Sequence, residues 1–249
     1  MFKQWWHERI IKRSTIDESQ WQKIFANLPV LYRLNREEKA KLKRLTILFL
    51  HYKSIEGVQG QEITSETQLI IGLQACLPIL NLGLDWYDGW VSVILYPGAF
   101  SREREEIDEC GVVHKGKTHL SGESWQRGPV ILSWDDSFTH PGPGRNVVIH
   151  EFAHKLDMLN GKANGFPPLH KTMSAQAWSH DFNLAFADLN QRLETDEELP
   201  VDTYATTSPA ECFAVLSEYF FEAPLVLFQY YPNVFHHLSQ FYRQNTLPK

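Results

Sequence analysis

The sequence predicts an α+β fold, with a mostly helical portion over residues 1–85 and, over residues 86–249, a small mostly antiparallel sheet followed by further helices. Three observations carry this expectation. Capping residues precede apolar positions at helical spacing before residue 85. The pattern becomes extended from Trp90, and it turns helical again around His150-Glu151-Phe-Ala-His154. A chain of 249 residues is long enough to bury a substantial core, and since no stretch reads as a linker we treat it as one unit.

Taken in order, residues 1–16 form a polar, basic arm whose Trp5 and Trp6 either dock on the rest of the chain or stay mobile. A short helix is expected over 18–26. Asn35 then caps a longer one over 36–53, where Leu42, Leu45, Leu48 and Phe49 face away from Glu37, Lys41 and Arg44. Ser65-Glu-Thr-Gln68 reads as a capping box opening an apolar helix over 69–80, with Pro78 near its end and Asn81 and Gly83 closing it. A helix this apolar belongs at the centre of the molecule.

Residues 91–96 read as a strand punctuated by Pro97-Gly98. The charge run over 101–109 is expected to be an exposed loop. Next come a hairpin pairing 110–114 with 118–120 around Lys115-Gly-Lys117, and a strand over 129–134. The loop His140-Pro-Gly-Pro-Gly-Arg145 fits neither helix nor strand and would wall a cleft. Asn146 caps the following helix and Gly161 stops it. A loop over 162–174, a helix over 178–194 and an acidic link over 195–200 precede a last predicted helix, opened by Ser208 as cap and Pro209 as first residue.

Composition narrows the function classes. A formal net charge of −6 gives no electrostatic reason to expect nucleic-acid binding. Three cysteines, odd in number and without C-x-x-C spacing, argue against a disulfide framework and a cysteine zinc site, and fit a reducing cytoplasm. No apolar region follows the charged N-terminus, so no signal peptide is expected. Gln74, Pro78 and Asn81 interrupt the longest apolar run, which therefore reads as a core helix and not a membrane span.

The chemistry is concentrated in His150-Glu151-x-x-His154. Histidines four apart stand one turn above each other on one helix face, so both imidazoles can reach a single metal ion. Glu151, displaced around the helix, is placed to take a proton from a water and pass it to a leaving amine. That suits zinc hydrolysis, which needs a third protein ligand and one open position. The bland alternative is two core histidines with an incidental glutamate.

Asp157 and Asn160 stand where an extended histidine pattern would need glycine and histidine, so the third ligand should be a carboxylate downstream. Glu211 and Glu218 compete on the helix after Ser208. Glu211 falls at the third helical position and would equally complete a capping box with Ser208. Phe213, Ala214 and Leu216 imply a helix packed inward there, which favours Glu211. Glu218 or Asp157 would then hold a ligand's outer nitrogen, although Asp157 equally suits pairing with Lys155 or Arg145. Tyr204, in the loop before this helix, could donate to a tetrahedral oxyanion or simply pack.

His150-Glu-Phe-Ala-His154-Lys-Leu-Asp157, Tyr204-Ala and Ser208-Pro-Ala-Glu-Cys-Phe-Ala-Val-Leu-Ser-Glu-Tyr-Phe-Phe221 together resemble the Mlc titration factor A (MtfA) family of zinc metallopeptidases. Cys76-Leu-Pro78, Ser124-Trp-Gln126 and Gly128-Pro-Val130 extend the match into the N-terminal half. The resemblance implies a zincin-like, cytoplasmic gluzincin holding one Zn2+ on His150, His154 and Glu211, with Glu151 as general base and Tyr204 as oxyanion stabiliser. The Tyr204-to-Glu211 spacing is also similar to that in the catalytic domain of anthrax lethal factor. The family implies aminopeptidase-like cleavage of a peptide substrate and binding of the repressor Mlc, which controls glucose-phosphotransferase genes. The alternative it leaves is a non-catalytic zinc protein that sequesters a transcriptional repressor. N-E-x-x-S-D, found in better-known gluzincins, is absent, so their subsites do not transfer.

Overall fold

The computed structural model describes residues 2–98, 100–107, 113–120, 122–124, 128–135 and 144–248; within 100–124 it is the backbone that is described. The N-terminal arm is a helix, α1 (Phe2–Lys12), in place of the undecided segment expected there. Its indoles are partly exposed: Trp5 and Trp6 keep 54% and 40% of their surface open to solvent. Exposed ion pairs, Lys3–Asp85 at 2.6 Å and Glu8–Arg44, hold it along the molecule. Pairs of this kind contribute little each.

Local capping fixes the next helices. Asp17 and Gln20 form a reciprocal cap on α2 (Glu18–Asn27). On α3 (Arg36–Tyr52), Asn35 Oδ1 accepts the N–H groups of Glu37 and Glu38 at 2.9 and 3.0 Å, and Glu38 Oε2 accepts that of Asn35 at 2.8 Å. Leu42, Leu48 and Phe49 are buried as the pattern requires. α4 (Ser65–Cys76) departs from expectation at both ends. Its cap is Thr64, which takes the extended conformation one residue earlier and accepts the Thr67 N–H at 3.1 Å. It ends before residue 80 because Pro78 has no N–H to continue the ladder.

The expected mostly antiparallel sheet is not what forms. Strands β1 (Ser54–Gly57), β2 (Ser92–Tyr96), β3 (Phe100–Ile107), β4 (Val113–Leu120), β5 (Gly122–Ser124) and β6 (Val130–Ser133) divide into a sheet of order β1-β2-β6-β5 and a separate β3-β4 pair. In the larger sheet β1, β2 and β6 run parallel, with Ser54 opposite Ser92 and Val93 opposite Val130; only the edge strand β5 is antiparallel. Parallel pairing needs a long return of chain, and α4 supplies it between β1 and β2. Val93, Leu95, Val130 and Leu132 point into the core.

The charge run expected as a loop is β3. Its register with β4 places Glu103 opposite Lys117 and Glu105 opposite Lys115. Gly116 lies opposite Arg104 in mid-strand, so the turn expected at Lys115-Gly-Lys117 is absent there; the connection falls at 108–112, outside the described residues.

α5 (Val147–Asp157) packs on this sheet and on α4, and every one of its residues is buried. A single turn, Met158–Asn160, follows and Gly161 ends it at φ 144°. Of the helices α6 (Ala175–Glu194), α7 (Pro209–Glu222), α8 (Pro224–Tyr230) and α9 (Pro232–Tyr242), α7 packs on α5, and the other three pack on α7. Trp178 of α6 stacks on Phe182 at 4.4 Å and meets Phe213 of α7 and Phe241 of α9 edge-on or tilted. Among the described residues no helix is long and apolar enough to cross a membrane.

Candidate metal centre

Asn146 sets the start and the orientation of α5. Its Oδ1 accepts the Ile149 N–H at 3.0 Å, and its Nδ2 donates to Gln74 Oε1 at 2.7 Å and to Glu222 Oε1 at 2.6 Å. Its backbone N–H donates to Glu218 Oε2. Helices α4, α5 and α7 are therefore joined at one residue. On α7, Ser208 Oγ accepts the Glu211 N–H at 3.2 Å and Pro209 starts the first turn.

The Glu211 carboxylate turns to the histidines. Glu211 Oε2 lies 2.9 Å from His150 Nε2 and 3.1 Å from His154 Nε2, and the two Nε2 atoms are 3.2 Å apart. His150 Nδ1 meets Glu218 Oε1 at 2.8 Å. In the neutral imidazole that Nδ1 is the donor, which leaves Nε2 a bare lone pair facing two further acceptors. Three such lone pairs meet at one point, where either protons on the imidazoles or a metal ion must lie between them. The edges of a tetrahedron with bonds of about 2.0–2.1 Å are roughly 3.3 Å, close to the three separations found, so His150, His154 and Glu211 fit a small divalent metal ion.

Burial dominates the electrostatics. It lifts the Glu151 carboxyl to about 7, against the pull of the His150 and His154 imidazoles; Glu151 is 3% exposed, and its Oε2 has no hydrogen-bond partner among the described residues. For Glu211, burial is outweighed by hydrogen bonds from His150 and His154, which hold it well below the usual carboxylate range. Burial likewise opposes charge on His150, but the bonds to Glu211 and Glu218 carry its pKa well above the ordinary imidazole value.

Tyr204 sits on a single helical turn, Thr203–Thr206, whose start is fixed by Asp202 Oδ1 accepting the Tyr204 N–H at 2.9 Å. Its ring centroid is 5.8 Å from that of His150, and it is 43% exposed. Arg145 pairs with Asp202 at 3.5 Å, tying the start of α5 to the turn that bears Tyr204. Gly144 lies over the Tyr219 ring at φ 90°, where a Cβ would come within 2.5 Å of the ring. The other residues of the expected cleft wall, 140–143, lie outside the described residues.

Of the two candidates for a supporting role, Glu218 bonds the outer nitrogen of His150, whereas Asp157 Oδ2 accepts the N–H groups of Asn164 and Gly165, both at 2.7 Å, and so closes the loop after α5. Arg145 and Lys155 are engaged with Asp202 and the Gly128 carbonyl. Sequence reasoning missed Asn146 as a junction. Its one signal was Gln74, a polar residue interrupting an otherwise apolar helix.

Comparison with known proteins agrees with this geometry. The family model of the glucose-regulated metallo-peptidase M90 matches residues 2–243. The chain is 41% identical over 236 residues to the Mlc titration factor A of Escherichia fergusonii, covering 93% of this chain and 88% of that protein. It is 42% identical over 235 residues to that of Serratia proteamaculans, with 93% and 89% covered. With that of Klebsiella pneumoniae it shares 39% over 254 residues, covering all of this chain and 94% of the relative. The match over residues 2–243, which spans both helices bearing the two-histidine, one-glutamate cluster, makes this chain a member of the glucose-regulated metallo-peptidase M90 family.

Proposed function

We propose that this protein is a zinc-dependent peptidase with aminopeptidase-like action, holding one Zn2+ on His150, His154 and Glu211. The observation that carries the proposal is the convergence of those three donors within hydrogen-bond distance, beside a buried carboxylate, Glu151, whose Oε2 has no partner among the described residues. When bound, zinc supplies Lewis-acid activation of water and of the peptide carbonyl. Glu151, with a pKa lifted to about 7 in the metal-free chain, takes a proton from the attacking water and delivers it to the departing amine. Glu218 keeps His150 in the tautomer whose Nε2 lone pair faces the centre. The Tyr204 hydroxyl donates a hydrogen bond to the oxyanion as the carbonyl becomes tetrahedral.

One hydrophobic cluster running from Trp21 to Tyr242 supports the whole chain acting as one catalytic unit. Buried free thiols at Cys76 and Cys212 support work in the reducing cytoplasm. The name of the relatives, Mlc titration factor A, supports the repressor Mlc as a partner, and through it a link to glucose-phosphotransferase genes. Purified protein should contain about one zinc per chain. Glu151→Gln should keep that zinc and lose peptide cleavage; undiminished cleavage refutes the mechanism. Mlc binding that survives in a variant unable to cleave would favour a sequestering role over a proteolytic one.

A further inference from the structure

At the C-terminal end of α7 a cavity of about 470 Å³ opens between the chain before α3, that helix end and residues 245–248. Arg33 lines it and forms no hydrogen bond or ion pair with any described residue; its Nε and Nη2 are out of solvent contact. The guanidinium rests over the Phe221 ring at 5.4 Å, and Thr246 Oγ1, also on the wall, is buried without a hydrogen-bond partner among the described residues. The carboxylates of Glu38 and Glu222 are near enough to favour the charge of Arg33 against burial but do not hydrogen-bond it, so the two buried N–H groups lack an acceptor, which a ligand carboxylate meeting the planar fork would supply.

The same wall bears two carboxylates. Glu38 Oε2 accepts the Asn35 N–H at 2.8 Å, and Glu222 Oε1 accepts Asn146 Nδ2 at 2.6 Å. They disfavour a dianion such as phosphate and offer acceptors to an ammonium group. Phe221, Pro224 and Leu247 supply an apolar surface between the poles. We propose that this cavity binds a small zwitterion with an apolar body, a free apolar α-amino acid or a dipeptide, with its carboxylate on Arg33 and its ammonium on Glu38 or Glu222.

Glu222 also reaches the metal centre. Asn146 bonds Glu222 through its side chain and Glu218 through its backbone N–H, and Glu218 bonds His150 Nδ1. A ligand that draws Glu222 toward its ammonium loosens the hold on Asn146, so occupancy of the cavity and metal affinity are linked, each altering the other by the same factor. This link rests on the functional reading above; binding in the cavity does not.

The test is calorimetric titration of the full chain, zinc-loaded and metal-free, with L-leucine and leucyl-leucine. Leucinamide, N-acetylleucine and inorganic phosphate serve as comparisons lacking one or both poles. Saturable one-to-one binding is expected, weakened about tenfold or more in Arg33→Met and for each truncated ligand. It should persist in Glu151→Gln and in the metal-free chain, with affinity shifted by the metal. Arg33→Lys, which keeps the charge but not the fork, should also weaken binding and covers the case in which Arg33→Met fails to fold. No saturable binding at millimolar ligand, binding indifferent to Arg33, or preference for phosphate overturns the proposal. Binding that vanishes with the metal overturns it too, by assigning the ligand to the metal centre. A chain without zinc or cleavage that still binds leucine through Arg33 would sink the peptidase reading alone.

Discussion

Replacing Glu151 with glutamine should make the metal-free protein more stable, although it removes the proposed general base. Glu151 is buried on α5, one of its oxygens has no partner, and burial lifts its pKa from 4.5 to about 7. Ionising such a group in the fold costs on the order of 3 kcal/mol at pH 8. The sign follows from proton uptake. Between 4.5 and about 7 the folded chain binds the proton and the unfolded chain does not, so the parent loses stability as pH rises through that window and levels off above it. Glutamine has no charge to bury. The gain in Glu151→Gln should therefore be about 3 kcal/mol at pH 8 and shrink below about 1 kcal/mol at pH 5. Urea unfolding of both proteins in chelator, at several pH values, reads this difference directly. Adding zinc should erase it, because a divalent cation beside the carboxylate favours its charged form. A gain that is absent at pH 8, or the same at pH 5 and pH 8, would show that burial does not raise this carboxyl.

Two further outcomes concern the groups around the ligands. Glu218→Gln should weaken zinc binding by about 10–100-fold, measured by competition with a chromogenic chelator, since it disturbs the acceptor shared by His150 Nδ1 and the Asn146 N–H. An unchanged zinc affinity would mean that Glu218 does not orient His150. Tyr204→Phe should lower kcat by about 10²–10³ with zinc content and KM little altered, as loss of one oxyanion donor does. Equal falls in activity and in zinc content would place Tyr204 in the structure of the site and not in the reaction.

What could be read from the sequence was what is decided locally. Asn35 with Glu38, Asn146 before the histidines and Ser208-Pro209 before Glu211 each satisfy helix-end N–H groups within a few residues, so the helices that bear the site could be placed without knowing their neighbours. The distances that bring Glu211 to His150 depend on packing across 61 positions, and spacing alone left Glu218 as a rival. The sheet was misjudged for the same reason. β1 has only Ile55 buried, too little to announce a strand, and its parallel partner arrives after a complete helix. In α1 the exposed Trp5 and Trp6 break any apolar face. That Arg33 Nε and Nη2 are buried without a hydrogen bond to a described residue is visible only once residues near 222 and 246 stand beside them.

The enclosure of α5 on all sides bears on how the centre is loaded. A helix with no solvent-facing side cannot fray by itself, so its amide hydrogens should exchange only through opening of the whole fold. The imidazoles thus keep their aim in the apoprotein, and an arriving ion finds the ligand cage already assembled, with little ordering entropy left to lose.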